Sequence, residues 1–202
     1  MELADPAILI AARTHGETAV IVRLMTSEAG VVAAYVAGGR GRQLRPVVIP
    51  GNMVSAEVRA RSDSQLPSAR LGLIKSRGPW LSEPLPAAAI GWVTALTAAT
   101  LPERHSYPAL YAALAALLDA ICAAPAARGW AGALVAYEVL LLRELGYGAP
   151  RGSRPDVSEI SDALAWLDKL EEPIATRLLA HLSADVMGAR VLLRDRLGRM
   201  VE

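Results

Sequence analysis

The chain has 202 residues, 53% of them hydrophobic and 20% charged, which is enough apolar material for one large domain or two small ones. Its single cysteine, Cys122, excludes an intramolecular disulfide and a cysteine-rich zinc module. The formal net charge of +1 hides an asymmetry: residues 1–80 hold 10 Lys/Arg against 6 Asp/Glu, and residues 81–202 hold 11 against 14. Such a division fits a polyanion-binding module joined to a protein-contacting one.

The opening stretch, MELADPAILIAAR, carries acids where a secretory signal needs a basic region, and no membrane span is expected among the apolar runs. A soluble cytoplasmic protein is the expectation. The first 80 residues read as β structure. Ala7–Arg13 is a strand-length apolar run broken at Thr14-His15-Gly16-Glu17; Thr18–Thr26 is β-branched and ends at Ser27-Glu28-Ala29-Gly30; Gly30–Ala37 reads as a third strand. In Met53–Arg61, Val54, Ala56, Val58 and Ala60 alternate with Ser55, Glu57, Arg59 and Arg61, the period of a half-buried strand. Leu71–Lys75 supplies a fifth. Five short strands suggest a small barrel or sandwich, and five is the strand count of an OB-fold.

Between the third and fourth strands lies Gly38-Gly39-Arg40-Gly41-Arg42-Gln43-Leu44-Arg45-Pro46. Three guanidinium groups, each a planar fork of donors suited to phosphate oxygens, sit here on a glycine-rich backbone that can follow a partner's surface closely. Arg13 and Arg23 on neighbouring strands, with Arg59 and Arg61 on the polar face of the fourth, extend the basic surface. The aromatic platform usual in nucleic-acid-binding barrels is missing, since Tyr35 is the only aromatic residue before Trp80. Backbone binding therefore fits better than sequence-specific base readout.

After Pro79-Trp80 the pattern becomes helical. Glu83–Leu101, Tyr107–Ala124 and Gly129–Leu145 have apolar residues at helical spacing, and Gly146 suits a C-terminal cap of the third. Glu138, Arg143 and Glu144 leave most of that third helix apolar, so it should be central to a bundle. Ala149–Asp156 reads as a loop. Ser158–Leu170 reads as a helix capped by Ser158, followed by helices over Glu172–Leu182 and Val186–Met200. The expected fold class is α+β, with a five-stranded OB-fold barrel over 1–80 and an all-α bundle over 81–202.

Enzymatic motifs are missing. There is no G-x-x-x-x-G-K-[ST] phosphate loop and no G-x-S-x-G elbow. His15, His105 and His181 share no metal-ligand spacing and read as surface or capping residues, and Cys122 reads as an inert buried thiol. Carboxylate pairs such as Glu171-Glu172 sit where they complement a helix dipole. No catalytic residue, cofactor or metal is expected.

Several stretches, taken in order, carry a resemblance. Arg13-Thr14-His15-Gly16-Glu17-Thr18, Leu24 through Gly30, Gly38-Gly39-Arg40 with Arg42 and Arg45, Pro50-Gly51-Asn52, and Tyr137-Glu138 through Leu145-Gly146-Tyr147-Gly148 resemble motifs of the RecO family of bacterial recombination mediators. The likeness runs from residue 7 to about 148. It implies an N-terminal OB-fold on a helical domain, and a protein of the cytoplasm and nucleoid. It also implies binding to single- and double-stranded DNA, strand annealing, work with RecR and with the tail of single-stranded-DNA-binding protein, and indirect help to RecA. DNA contacts would then fall on Arg40, Arg42 and Arg45, with Arg13, Arg23, Arg59 and Arg61 around them. The alternative is an interaction adaptor whose helical domain binds partners and whose DNA binding is incidental.

The sequence departs from the family pattern after Gly148, where many relatives carry a four-cysteine zinc module and this chain has a short polar loop. Where some relatives hold the partner tail with a basic residue before the Tyr/Phe-Glu pair, this chain has Ala136.

Overall fold

The computed structural model describes residues 2–60, 65–124, 126–148, 155–180 and 186–201. They divide into two compact units, Met1–Ser82 with Leu101–Pro108, and Glu83–Thr100 with Ala109–Glu202. The fold class is α+β, as the sequence leads one to expect.

Five strands make the first unit: β1 (Glu2–His15), β2 (Ala19–Thr26), β3 (Gly30–Val36), β4 (Met53–Arg59) and β5 (Ser68–Lys75). They close into a barrel in the order β1-β2-β3-β5-β4, that of an OB-fold. β1 starts earlier than its apolar run suggests, because Glu2 to Ile8 pair with β4 even though a strand proline at Pro6 ordinarily argues against a ladder. A bulge between Leu9 and Ala11 then bends β1, so that its second half pairs with β2. One long strand thus serves two neighbours, which is how a small sheet closes on itself. In β4, Val54, Ala56 and Val58 point into the core and Ser55, Glu57 and Arg59 point out, as their alternation predicts. Arg61, expected on the same face, lies outside the described residues. β5 begins at Ser68, three residues before its apolar run. Ladder pairing between β3 and β5 comes down to one parallel register pair, Tyr35 with Ser68.

The segment Leu101–Pro108 belongs to the barrel unit, which its position between two helices in sequence does not announce. The Arg104 amide donates to the Val31 carbonyl (2.9 Å), and the Ser106 hydroxyl donates to the Ser27 carbonyl (2.8 Å). Gly30 makes this approach possible: its φ is +69°, and a Cβ there would lie 1.9 Å from the His105 carbonyl oxygen.

The second unit holds α1 (Pro84–Thr100), α2 (Pro108–Ala123), α3 (Ala131–Glu144), α4 (Ile160–Pro173) and α5 (Met187–Gly198). Prolines at the starts of α1 and α2 cost no hydrogen bond there. α3 ends in a Schellman motif, with the Gly146 amide donating to the Arg143 carbonyl (3.0 Å) and the Tyr147 amide to the Leu142 carbonyl (2.9 Å). α4 begins two residues later than expected. Its cap residue is Glu159, and Ser158 instead donates, through its amide and hydroxyl, to Asp162. The Glu159 amide, together with the hydroxyl and amide of Ser158, holds the Asp162 carboxyl below the usual carboxylate range. No separate helix starts at Glu172. That residue and Pro173 end α4, and Ile174–Leu178 continues it as a wide turn closed by the Leu179 amide on the Ile174 carbonyl (3.0 Å). Pro173 has no amide hydrogen and crowds the preceding turn, so the chain widens instead of stopping. Residues 181 and 182 of the expected helix, and 149–154 of the expected loop, lie outside the described residues. No helix among the described residues is long and apolar enough to cross a membrane.

Candidate nucleic-acid interface

Residues 37–52 connect β3 to β4, two strands that are not neighbours, so the chain here crosses the barrel end instead of forming a hairpin. Gly39 packs against Val20, where a Cβ would come within 2.8 Å of a side-chain methyl. Helix-like turns follow, with the amides of Leu44 and Arg45 on the Gly41 carbonyl (3.1 and 2.9 Å) and the amides of Val47 and Val48 on the Leu44 carbonyl (both 2.9 Å). Val47 is buried among the barrel side chains, with Leu44 and Val48 packed beside it. Asn52, fully buried, pins the exit. Its Nδ2 donates to the carbonyls of Pro46 (2.9 Å) and Val47 (3.0 Å), and its Oδ1 accepts from the Arg77 amide (2.7 Å). The compliance suggested by three glycines is therefore not what the fold delivers. Val47, just past the last arginine, enters the core with Leu44 and Val48 half-buried against it, and that packing fixes the loop while leaving the guanidiniums outside.

Arg40, Arg42 and Arg45 are all exposed. The Arg40 amide donates to the Thr18 carbonyl (3.0 Å) and its Nη1 to the Glu17 carbonyl (2.8 Å), which lays this side chain along the β1–β2 turn. Arg13, at the end of β1, joins Arg40 and Arg45 around a cleft of about 230 Å³ that also has Thr14 and Gly39 in its wall. A second cleft is shared by Arg40 and Arg45 with Gly38 and Gly41, and a third by Arg42 and Arg45 with Pro46 and Ile49. Arg45 borders all three. Four permanent cations against the single carboxylate of Glu17 make this the phosphate-compatible end of the barrel.

The other expected cations go elsewhere. Arg23 turns onto the Leu101–Pro108 segment, donating to the Leu101 carbonyl (3.1 Å) and pairing with Glu103 (3.4 Å). Its charge is thereby largely spent within the barrel unit. Arg59 lines a separate depression with Tyr35 and Arg70. Arg70 carries no local signal in the sequence; its place diagonal to Arg59 across the β4–β5 ladder, opposite Glu57, brings it to this surface.

The chain matches known proteins over most of its length. Residues 1–76 match the model described as "Recombination protein O N terminal" and residues 82–151 the one described as "Recombination protein O C terminal". The chain is 37% identical to the DNA repair protein RecO of Phenylobacterium zucineum over 89% of its own length and 76% of the relative's. It belongs to the RecO family. It is also 42% identical to RecO of Rhodospirillum centenum and 40% identical to RecO of Caulobacter vibrioides, covering 76% and 73% of this chain and 60% of each relative.

Most of the RecO-like motifs have architectural roles. Asn52 anchors the basic loop, Gly30 admits the 101–108 segment, and Gly146 closes α3. Glu138 of the Tyr137-Glu138 pair is fully buried. It accepts from the Trp92 indole (2.7 Å) and from Arg190 (Nη2 at 2.9 Å, Nε at 3.3 Å), while Arg190 also donates to the Leu167 carbonyl (2.7 Å). Beside it, the Tyr137 hydroxyl contacts Thr97 Oγ1 at 2.5 Å, and burial pushes the Tyr137 phenol upward. With both charges desolvated and paired, this cluster belongs to the interior of the helical unit. Cys122 is half-buried, short of the full burial expected. Among the described residues no group of three or more metal-ligating side chains comes together.

Proposed function

We propose that this protein acts in DNA repair by binding the backbone of single- and double-stranded DNA at the arginine-lined end of its barrel. The observation that carries the reading is the fixed loop on which Arg40, Arg42 and Arg45 stand, with Arg13 beside them and Arg45 common to three adjacent clefts. Guanidiniums held without a buried partner are available to phosphate oxygens, and displacing counterions from the strand supplies affinity without reading sequence. Two strands screened on one basic surface can pair, so annealing follows without catalysis. The names of the relatives, DNA repair protein RecO, and of the family models, Recombination protein O, support a role in recombinational repair, for which the nucleoid would be the setting. There RecR and the tail of single-stranded-DNA-binding protein would be its partners, and RecA loading the outcome.

The test is a salt titration of oligonucleotide binding by the wild type and by the Arg40→Ala, Arg42→Ala, Arg45→Ala variant. Affinity should fall for every sequence tried, and the log–log salt slope on single strands should shrink by up to about 2, from roughly 0.7 per lost phosphate contact. Unchanged affinity and slope would sink the assignment. A second reading, an adaptor acting through its helices, draws on the half-exposed Val191 and Leu192 of α5. Capture of RecR or the acidic partner tail without any DNA binding would favour it.

A further inference from the structure

The depression beside Tyr35 differs in chemistry from the arginine clefts. The strand registers set Arg13 opposite Ile21, Ile21 opposite Tyr35, Tyr35 opposite Ser68 and Ser68 opposite Arg59. Directly opposed residues share a face of the sheet. Since Val20, Val22, Ala34 and Val36 fill the core, this row runs across the outside of the barrel. At its centre is a hollow of about 250 Å³ with Tyr35 and Ser68 in its wall and Glu57, Arg59 and Arg70 around it. That is below the roughly 300–1,000 Å³ of sites enclosing a whole small-molecule ligand, and suits one planar ring partly engaged. The Tyr35 ring meets His15 at 5.9 Å with the planes at 88°, a perpendicular contact that occupies at most one face of the tyrosine.

We propose that this hollow is a subsite for one nucleobase of a single strand, stacked on Tyr35. The inference rests on the nucleic-acid reading of the arginine loop and adds to it the part of the ligand that the loop does not touch. A carboxylate beside two guanidiniums leaves the hollow with a formal charge of only +1, a weaker draw for a bare phosphate than the arginine clefts. It suits the edge of a base, which presents donors and acceptors together; Glu57 takes the donors, and Arg59 and Arg70 take the acceptors and the flanking backbone. A base within a duplex has both faces stacked already and cannot enter. The hollow therefore favours single strands, while the arginine clefts accept either form. Tyr35 also supplies, from one residue, the aromatic surface that the composition of the barrel half lacks.

The experiment compares binding of the full chain to oligothymidylate and to an abasic phosphodiester strand of equal length and charge. Wild type should prefer oligothymidylate. Tyr35→Leu, which keeps an apolar side chain on the barrel surface, should weaken oligothymidylate binding roughly 5- to 100-fold and leave the abasic strand unaffected. Tyr35→Trp should restore the preference. Equal binding of the two strands by wild type, or a preference that survives Tyr35→Leu, overturns the subsite while the loop reading stands. Failure of wild type to bind either strand overturns both.

Discussion

Arginine meets opposite fates at two places in the molecule. In the helical unit Arg190 is buried against Glu138, Trp92 and the Leu167 carbonyl. In the barrel unit Arg40, Arg42 and Arg45 stand exposed on a loop anchored by the buried Val47. The difference lies in what surrounds the guanidinium. A buried cation must be matched by a carboxylate and fixed acceptors, or desolvation exceeds what the fold can offset. An exposed cation keeps its hydration and can exchange it for phosphate. Arg23 lies between the two cases: it sits on the barrel, yet Glu103 and the Leu101 carbonyl already occupy it.

The hardest test of this contrast is Glu138→Ala. Leaving Arg190 buried and unmatched should cost about 3–5 kcal/mol in urea unfolding. The combined Glu138→Leu, Arg190→Met variant, which removes both charges, should be less destabilised than the single one. If the two variants unfold alike, the charges are not coupled.

Asn52→Ala attacks the loop's scaffold without touching a cation. Three backbone groups lose their partner, so a loss of about 1–3 kcal/mol is expected. DNA affinity should also fall, since the arginines would no longer be held in register. Full affinity at reduced stability would mean that the loop needs no anchor.

The smallest effect separates arginines of one unit. Arg45→Ala should lower the single-strand salt slope by about 0.7, the share of one phosphate contact. Arg23→Ala should leave the slope unchanged while loosening the 101–108 segment, seen as faster amide exchange at Arg104. A slope that drops equally in both would return Arg23 to the binding surface.

Much of this was legible in the residues. The alternation through Met53–Arg59, the glycine after α3 and the prolines opening α1 and α2 are local signals, and each appears where its pattern puts it. The separate helix expected over Glu172–Leu182 fails for a local reason too, because Pro173 widens a helix already formed. Other features carry no local trace. The early start of β1 depends on β4, fifty residues away, and the attachment of 101–108 to the barrel depends on a bare Gly30.

By itself, then, the sequence determined the strand and helix periodicities, the concentration of arginine in residues 38–46 and the excess of basic charge before residue 80. These follow from neighbours along the chain, whose spacing is set by backbone geometry. Tertiary structure alone decided which charges face solvent. It buried Glu138 with Arg190, engaged Arg23, stiffened the loop through Val47 and Asn52, and set Tyr35 beside Arg59 and Arg70. Those outcomes turn on desolvation and on partners distant in sequence, and burial exists only once the chain has closed on itself.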